Sequence, residues 1–265
     1  MEILVLPTMS TYTTEIASDK IVSDNPIHQR LLKAYYAAEP FILGDVLEPG
    51  CGEGRGLDLL APKAKSYTAI DKIGDIIDEL KGKYEGVHFK QMNFPPFSGL
   101  ADNSFDVVIS FQVIEHIQDD KKFLEEIHRV LKPGGKAVIT TPNIKMTLTR
   151  NPWHIREYTN GQLKELCSSI FSQVTMKGIA GNEKVMNYYE ENKKSVAKFT
   201  RFDILNLQYK LPASLLRIPY DILNRVNRKM IQSKSGSLVS EISHNDYFLN
   251  EESESNLDLF CIMTK

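Results

Sequence analysis

The chain has 265 residues, of which 42% are hydrophobic and 25% charged, with 32 basic side chains against 34 acidic ones and a formal charge of −2. This balance excludes disordered and low-complexity classes and leaves no basic excess for general nucleic-acid binding. It allows one large domain, or one domain with an insertion. The three cysteines, Cys51, Cys167 and Cys261, are far apart and form no C-x-x-C pair, which disfavours a disulfide framework and fits a reducing compartment. No apolar run reaches the roughly 18 residues of a membrane span. The start, Met1 to Pro7, lacks the basic region and long apolar core of a signal peptide. The expectation is a soluble cytoplasmic protein with no transmembrane segment.

Residues 1–25 are polar and weakly patterned and read as an N-terminal arm. Pro26 can open a helix to about Ala38, since Leu31, Leu32 and Tyr35 recur at helical spacing. Strand-like runs then follow at 45–48, 66–71, 87–92, 105–111 and 136–141. Between the last two, a helix from about Asp119 to Leu131 has an acid to cap it and Phe123, Leu124, Ile127 and Val130 on its inner face. Pro133-Gly134-Gly135 stops it. A helix after Thr159-Asn160, a strand at 172–176 and a final strand at 257–263 complete the alternation. Strands alternating with helices predict a doubly wound parallel sheet. The stretch 182–240 differs in character. Over 183–235 it carries 11 Lys and Arg against 5 Asp and Glu, and it reads as helical, broken at Pro212 and Pro219.

The sharpest motif is Glu48-Pro49-Gly50-Cys51-Gly52-Glu53-Gly54-Arg55-Gly56, directly after the first strand. Glycines there let the backbone turn tightly and approach a ligand, and a following helix N-terminus would offer N–H groups and a positive dipole end. The dinucleotide spacing G-x-G-x-x-G fails in both registers, at Arg55 and at Leu57, which argues against a nicotinamide dehydrogenase.

With its acid two residues before the first glycine, the loop resembles that of the class I S-adenosylmethionine-dependent methyltransferases, in their glycine-loop, small-molecule group. The resemblance covers most of 26–181 and the final strand. It continues through Asp71 at the end of the second strand, Met92-Asn93-Phe94 after the third, and Ser110-Phe111-Gln112-Val113-Ile114-Glu115-His116 after the fourth. Leu131-Lys132-Pro133-Gly134-Gly135 completes it. It implies a seven-strand Rossmann-like sheet with the last strand antiparallel. It also implies S-adenosyl-L-methionine as cofactor, with S-adenosyl-L-homocysteine as product. Glu48, Gly50, Cys51 and Gly52 would hold the methionine part, Cys51 through its backbone. Asp71, with Lys72 beside it, would accept the ribose hydroxyls. Met92, Asn93 and Phe94 would meet the adenine. The family usually has Asp at this point, and Asn93 keeps a carbonyl acceptor. Phe111 and Gln112 would close the site. Residues 26–181 and 241–265 would then form the cofactor domain, with 182–240 as a helical insertion.

His116 lies where the substrate side of such a pocket begins. It reads either as a base for a hydroxyl acceptor or as a loop-shaping histidine. Glu115 reads as a structural or solvent-facing acid. Trp153, His154, Arg156 and Tyr158 follow the fifth strand and read as substrate contacts, or as local pairing and packing. No His, Cys or Asp cluster shows metal-ligand spacing in the sequence, so no metal is expected. The 183–235 segment reads as a lid, as an amphipathic face for a membrane or lipid-linked substrate, or as a solvated helical pair. The loops after the fourth strand lack the Pro-Pro-aromatic and Pro-Cys patterns of DNA methylation, so nucleic acid is not an expected partner. The resulting expectation is methyl transfer to a small-molecule or glycoconjugate acceptor, with a non-catalytic S-adenosylmethionine-binding regulator or scaffold as the alternative.

Overall fold

The computed structural model describes residues 21–201, 203 and 205–265. The expected arm, 1–25, therefore lies outside the described residues as far as residue 20. The chain forms two compact units. One, built from 29–147, 154–183 and 243–265, contains the sheet. Among the described residues the other takes in 21–28, 148–153 and most of 184–242, and it is helical.

In chain order the elements are α1 (Asn25–Ala38), β1 (Asp45–Pro49), α2 (Leu57–Leu60), β2 (Ser66–Asp71), α3 (Gly74–Lys83), β3 (Val87–Gln91), β4 (Phe105–Phe111), α4 (Asp120–Val130), β5 (Leu131–Pro142), α5 (Asn160–Ser168), β6 (Gln173–Gly181), α6 (Glu183–Thr200), α7 (Leu207–Lys210), α8 (Ala213–Lys234), α9 (Gly236–Glu241), β7 (Tyr247–Glu251) and β8 (Asp258–Thr264). The strands lie in the order β3-β2-β1-β4-β5-β8-β6-β7. β1 to β5 run parallel. β8 runs antiparallel to both of its neighbours, β5 and β6.

The sheet thus has eight strands where seven were expected. The added one, β7, pairs antiparallel with β6 at the edge. Its Asn250 and Glu251 break any continuous apolar run, as suits an edge strand exposed on one side. The central strands are legible because both of their faces are covered. β4 is buried at every position except Asp106. On one side of the sheet Leu47, Ile70, Val108 and Ile139 pack with Phe123, Leu124 and Ile127 of α4 and Leu163 of α5. Asp119 caps α4 by accepting from Lys122 N at 2.9 Å. Thr159 and Gln162 form a reciprocal capping box at the start of α5. Lys132 bridges Asp45 and Asp106 at 2.8 and 2.7 Å, tying together the amino ends of β1 and β4.

In the helical unit, Pro212 immediately precedes α8, but Pro219 lies inside it. The expected break at Pro219 does not occur. Proline forgoes one backbone hydrogen bond, and the helix continues around it for 22 residues. The unit is organised on Asp24, which is wholly buried. Asp24 accepts from Arg225 Nη1 at 2.9 and 2.8 Å and from Arg228 Nη1 at 2.8 Å. Trp153 belongs to this unit: its Nε1 donates to Asp221 at 3.1 Å, and Arg217 lies 4.4 Å over its ring. Asp24→Ala would leave two guanidinium groups buried without their carboxylate. We expect a loss of about 3–5 kcal/mol, read as a lower urea midpoint for the helical unit.

Candidate active site

The carboxyl ends of β1, β2, β3 and β4 lie side by side, which is where open parallel sheets bind ligands. The glycine loop turns there. Gly50 N and Cys51 N both donate to the carbonyl of Ile70, at 2.7 and 3.2 Å. Gly52 N donates to Asp71 Oδ2 at 3.0 Å, and Ile73 N donates to Asp71 Oδ1 at 3.0 Å. Met92 N reaches the Asp71 carbonyl at 2.8 Å. Three strand ends are thus tied together at Asp71, whose carboxylate is nearly buried.

Two glycines are required for different reasons. Gly50 has φ +80°, and a Cβ there would collide with the side chain of Val113. Gly52 has φ +50°, yet a Cβ would meet nothing within 4 Å, so the loop faces open space at that point. The helix behind the loop is a correction to expectation. α2 is a single turn, so the loop's own N–H groups matter more here than a helix dipole.

Glu48 lies behind the loop, wholly buried. Its Oε1 accepts from Tyr35 OH and its Oε2 from Tyr67 OH, each at 2.8 Å. Burial pushes its pKa up to about 7, against the pull of the two hydroxyls. Tyr35 also meets Phe111 edge-on at 4.7 Å and fills the space where a Cβ on Gly56 would be. The Cys51 thiol is buried and its pKa is pushed far up, so it offers no nucleophile.

The remaining expected cofactor contacts fall unevenly. Lys72 and Asn93 are exposed beside the loop, and Met92 is buried. Phe94 is half-buried against the core, stacked 5.8 Å from Phe123 and edge-on 5.6 Å from Phe97. Gln112, at φ +57°, turns its amide toward Thr140 Oγ1 at 3.3 Å.

A second group forms after β4 and β5. Glu115, His116 and His154 present ligand atoms within 4.8 Å of one another. The two imidazoles meet edge to face, with centroids 5.0 Å apart. Glu115 is only 1% exposed, which corrects the solvent-facing reading. Its Oε2 accepts from Thr141 Oγ1 at 2.9 Å, and its Oε1 is buried with no hydrogen-bond partner. Burial pushes its pKa up to about 7. His154 Nδ1 lies 2.6 Å from Glu157 Oε1, and Thr147 donates to the other oxygen of that carboxylate. Arg156 Nη1 and Tyr158 OH both donate to Asp120 Oδ2 at 2.7 Å, so Arg156 pairs with an acid remote in sequence and not with the adjacent Glu157, as the local-pairing alternative had it. Sequence reading took Glu157 only as a local partner of Arg156 and Asp120 only as a possible helix cap, and gave Thr141 no site role. The His154 and Glu157 spacing of three was the one signal available for the first.

The strand order and the glycine loop are similar to those of the class I S-adenosylmethionine-dependent methyltransferases. Residues 47–139 match the family described as a methyltransferase domain. A probable S-adenosylmethionine-dependent methyltransferase of Mycolicibacterium smegmatis is 40% identical over 128 residues, covering 46% of this chain and 49% of its own length. One of Mycobacterium tuberculosis is 38% identical over 142 residues, covering 51% of each. A ubiquinone biosynthesis O-methyltransferase of Rickettsia conorii is 32% identical over 101 residues, covering 37% of this chain and 35% of that one. The chain spans about half the length of the mycobacterial relatives it matches. In fold it is similar to a Thermotoga maritima S-adenosylmethionine-dependent methyltransferase described as a possible histamine N-methyltransferase. That likeness has a TM-score of 0.57 at 16% identity over 92% of this chain and 91% of the other.

Glu48 carries a pH prediction. It stays protonated in the folded chain up to about pH 7, whereas an unfolded glutamate ionises near 4.5. The stability it contributes is complete below pH 4.5 and is lost as pH rises through 7. The urea midpoint of the sheet unit is expected to fall over that interval, and Glu48→Gln to remove part of the fall.

Proposed function

We propose that the chain transfers a methyl group from S-adenosyl-L-methionine to a small-molecule or glycoconjugate acceptor. The observation that carries this reading is the arrangement of Asp71 against Gly52. A nearly buried carboxylate and a glycine facing open space adjoin at the end of β2. Each Asp71 oxygen already accepts one backbone N–H and retains a second lone pair. That fits a bidentate contact to vicinal ribose hydroxyls. Gly50, Cys51 and Gly52 would line the methionine part through their backbone, with the buried Glu48 carboxyl behind them. Lys72, Met92 and Asn93 would border the adenine, with Phe94 supporting from the core, and Phe111 and Gln112 would close the β4 side.

The bound cofactor supplies a methyl group on a sulfonium, which is electrophilic without help. The chain therefore needs to orient an acceptor in line, exclude water and take up a proton. His116 is the group we place at that proton, beside His154 and Glu115. Arg156 and Tyr158, fixed on Asp120, would shape the acceptor's entrance. The likeness to ubiquinone biosynthesis O-methyltransferases supports a small acceptor. A cytoplasmic setting fits three buried cysteines with no disulfide among them.

No helix of the described residues is long and apolar enough to cross a membrane. The face of α8 favours a peripheral contact with an anionic bilayer as part of the same reading. Leu215, Ile218, Ile222 and Val226 form an exposed stripe, with Ile218 72% exposed, on a segment carrying six excess positive charges. Binding to vesicles containing phosphatidylserine, weaker with phosphatidylcholine alone, is expected to be lost in the double variant Ile218→Glu and Ile222→Glu. Equal sedimentation of the variant would remove the membrane contact.

Calorimetric titration with S-adenosylhomocysteine, with NAD as control, tests the central reading. Micromolar binding of the first and none of the second is expected. Asp71→Ala should weaken that binding more than tenfold, and unchanged affinity would overturn the ribose assignment. Binding without turnover on any acceptor would favour a non-catalytic regulator or scaffold.

A further inference from the structure

We infer that Glu115, His116 and His154 form a binding site for a first-row divalent cation, zinc or a close chemical neighbour. Three observations converge on it. The three ligand atoms lie within 4.8 Å of one another, a separation that one ion can span. Glu115 Oε1 is buried and has no hydrogen-bond partner, a costly state for a carboxylate oxygen unless something completes it. The groups around the cluster are those that orient metal ligands. Glu157 lies 2.6 Å from Nδ1 of His154, which fixes the tautomer and turns coordination over to Nε2. Thr141 holds the other oxygen of Glu115 at 2.9 Å. Thr147 in turn fixes Glu157.

Two imidazoles and one carboxylate suit zinc, manganese, iron or cobalt rather than calcium or magnesium, which prefer all-oxygen shells. Three protein ligands leave a fourth position open, the pattern of a catalytic rather than a structural site. All three ligands belong to the sheet unit, so the site is complete within it. The site's existence is independent of the methyltransferase reading, and only its role rests on that reading. A hydroxyl coordinated in the open position would have its pKa lowered and lose its proton to solvent. His116 would then act as a metal ligand, and the ion would do the work of a base. The sequence conceals this site because His154 lies 38 residues after His116, a separation that only the meeting of the β4 and β5 loops closes.

The untagged full chain, stripped with a chelator, is titrated with zinc chloride by calorimetry. One equivalent should bind, and His154→Ala and Glu115→Gln should each weaken binding at least tenfold while leaving the circular dichroism spectrum unchanged. In the native chain loaded with cobalt, which needs no variant, two paramagnetically shifted imidazole N–H resonances should appear. Absence of saturable zinc binding, binding indifferent to both variants, or a cobalt-loaded chain without shifted imidazole signals would overturn the inference. Because zinc binding is read without methyl transfer, failure to bind S-adenosylhomocysteine would overturn the methyltransferase reading and leave this one standing.

Discussion

Glu48 is a carboxylate placed where water cannot reach it, and the geometry of the cofactor loop depends on how that cost is met. Two tyrosine hydroxyls from α1 and β2 meet it, one at each oxygen. The arrangement fixes Tyr35, and Tyr35 then fixes two further things. It fills the space above Gly56, so no side chain can stand there, and it sets its ring edge against Phe111 at the end of β4. One buried group thereby relates α1, β1, β2 and β4. A charged Glu48 would be poorly solvated there, and its raised pKa expresses that cost.

Asp71 extends the same order across the sheet. Its side chain takes N–H groups from the glycine loop and from the turn after β2, while its carbonyl takes one from the end of β3. The loops at the carboxyl ends are held by the strands beside them, which places rigid donors and acceptors around an open surface. Glu115 is the counterpart on the other side of the sheet's midpoint. It is equally buried, but only one of its oxygens is satisfied. Glu48 is a completed network. Glu115 is an incomplete one, and that difference separates a supporting group from one with chemistry left to do.

The contrast between the two units has a compositional root. The sheet unit buries near-continuous apolar strands between helices and keeps its buried acids Glu48, Asp71 and Glu115 at or beyond the carboxyl ends of its strands. The helical unit organises around Asp24 and two arginines, and it leaves the apolar stripe of α8 exposed. A segment with a positive excess and an uncovered apolar face has the makings of an interaction surface.

The sequence by itself determined the parallel strands, because strands covered on both faces are largely apolar, as β4 is at Val107, Val108 and Ile109. It determined an acidic cap for α4, a helix start after Thr159-Asn160 and the glycine loop, because each depends on residues adjacent in the chain. Tertiary structure decided what adjacency does not encode. β7 exists because β6 offers an edge to pair with, not because its own five residues demand a strand. Pro219 stays helical although local propensity breaks the helix there. Phe94 meets Phe97 and Phe123, a cluster of three rings that includes one from α4 and that adjacency does not encode. Trp153 and His154 are neighbours in sequence but belong to different compact units. Glu115 and His154 are remote in sequence but adjoin in space, because parallel pairing of β4 with β5 sets their following loops side by side.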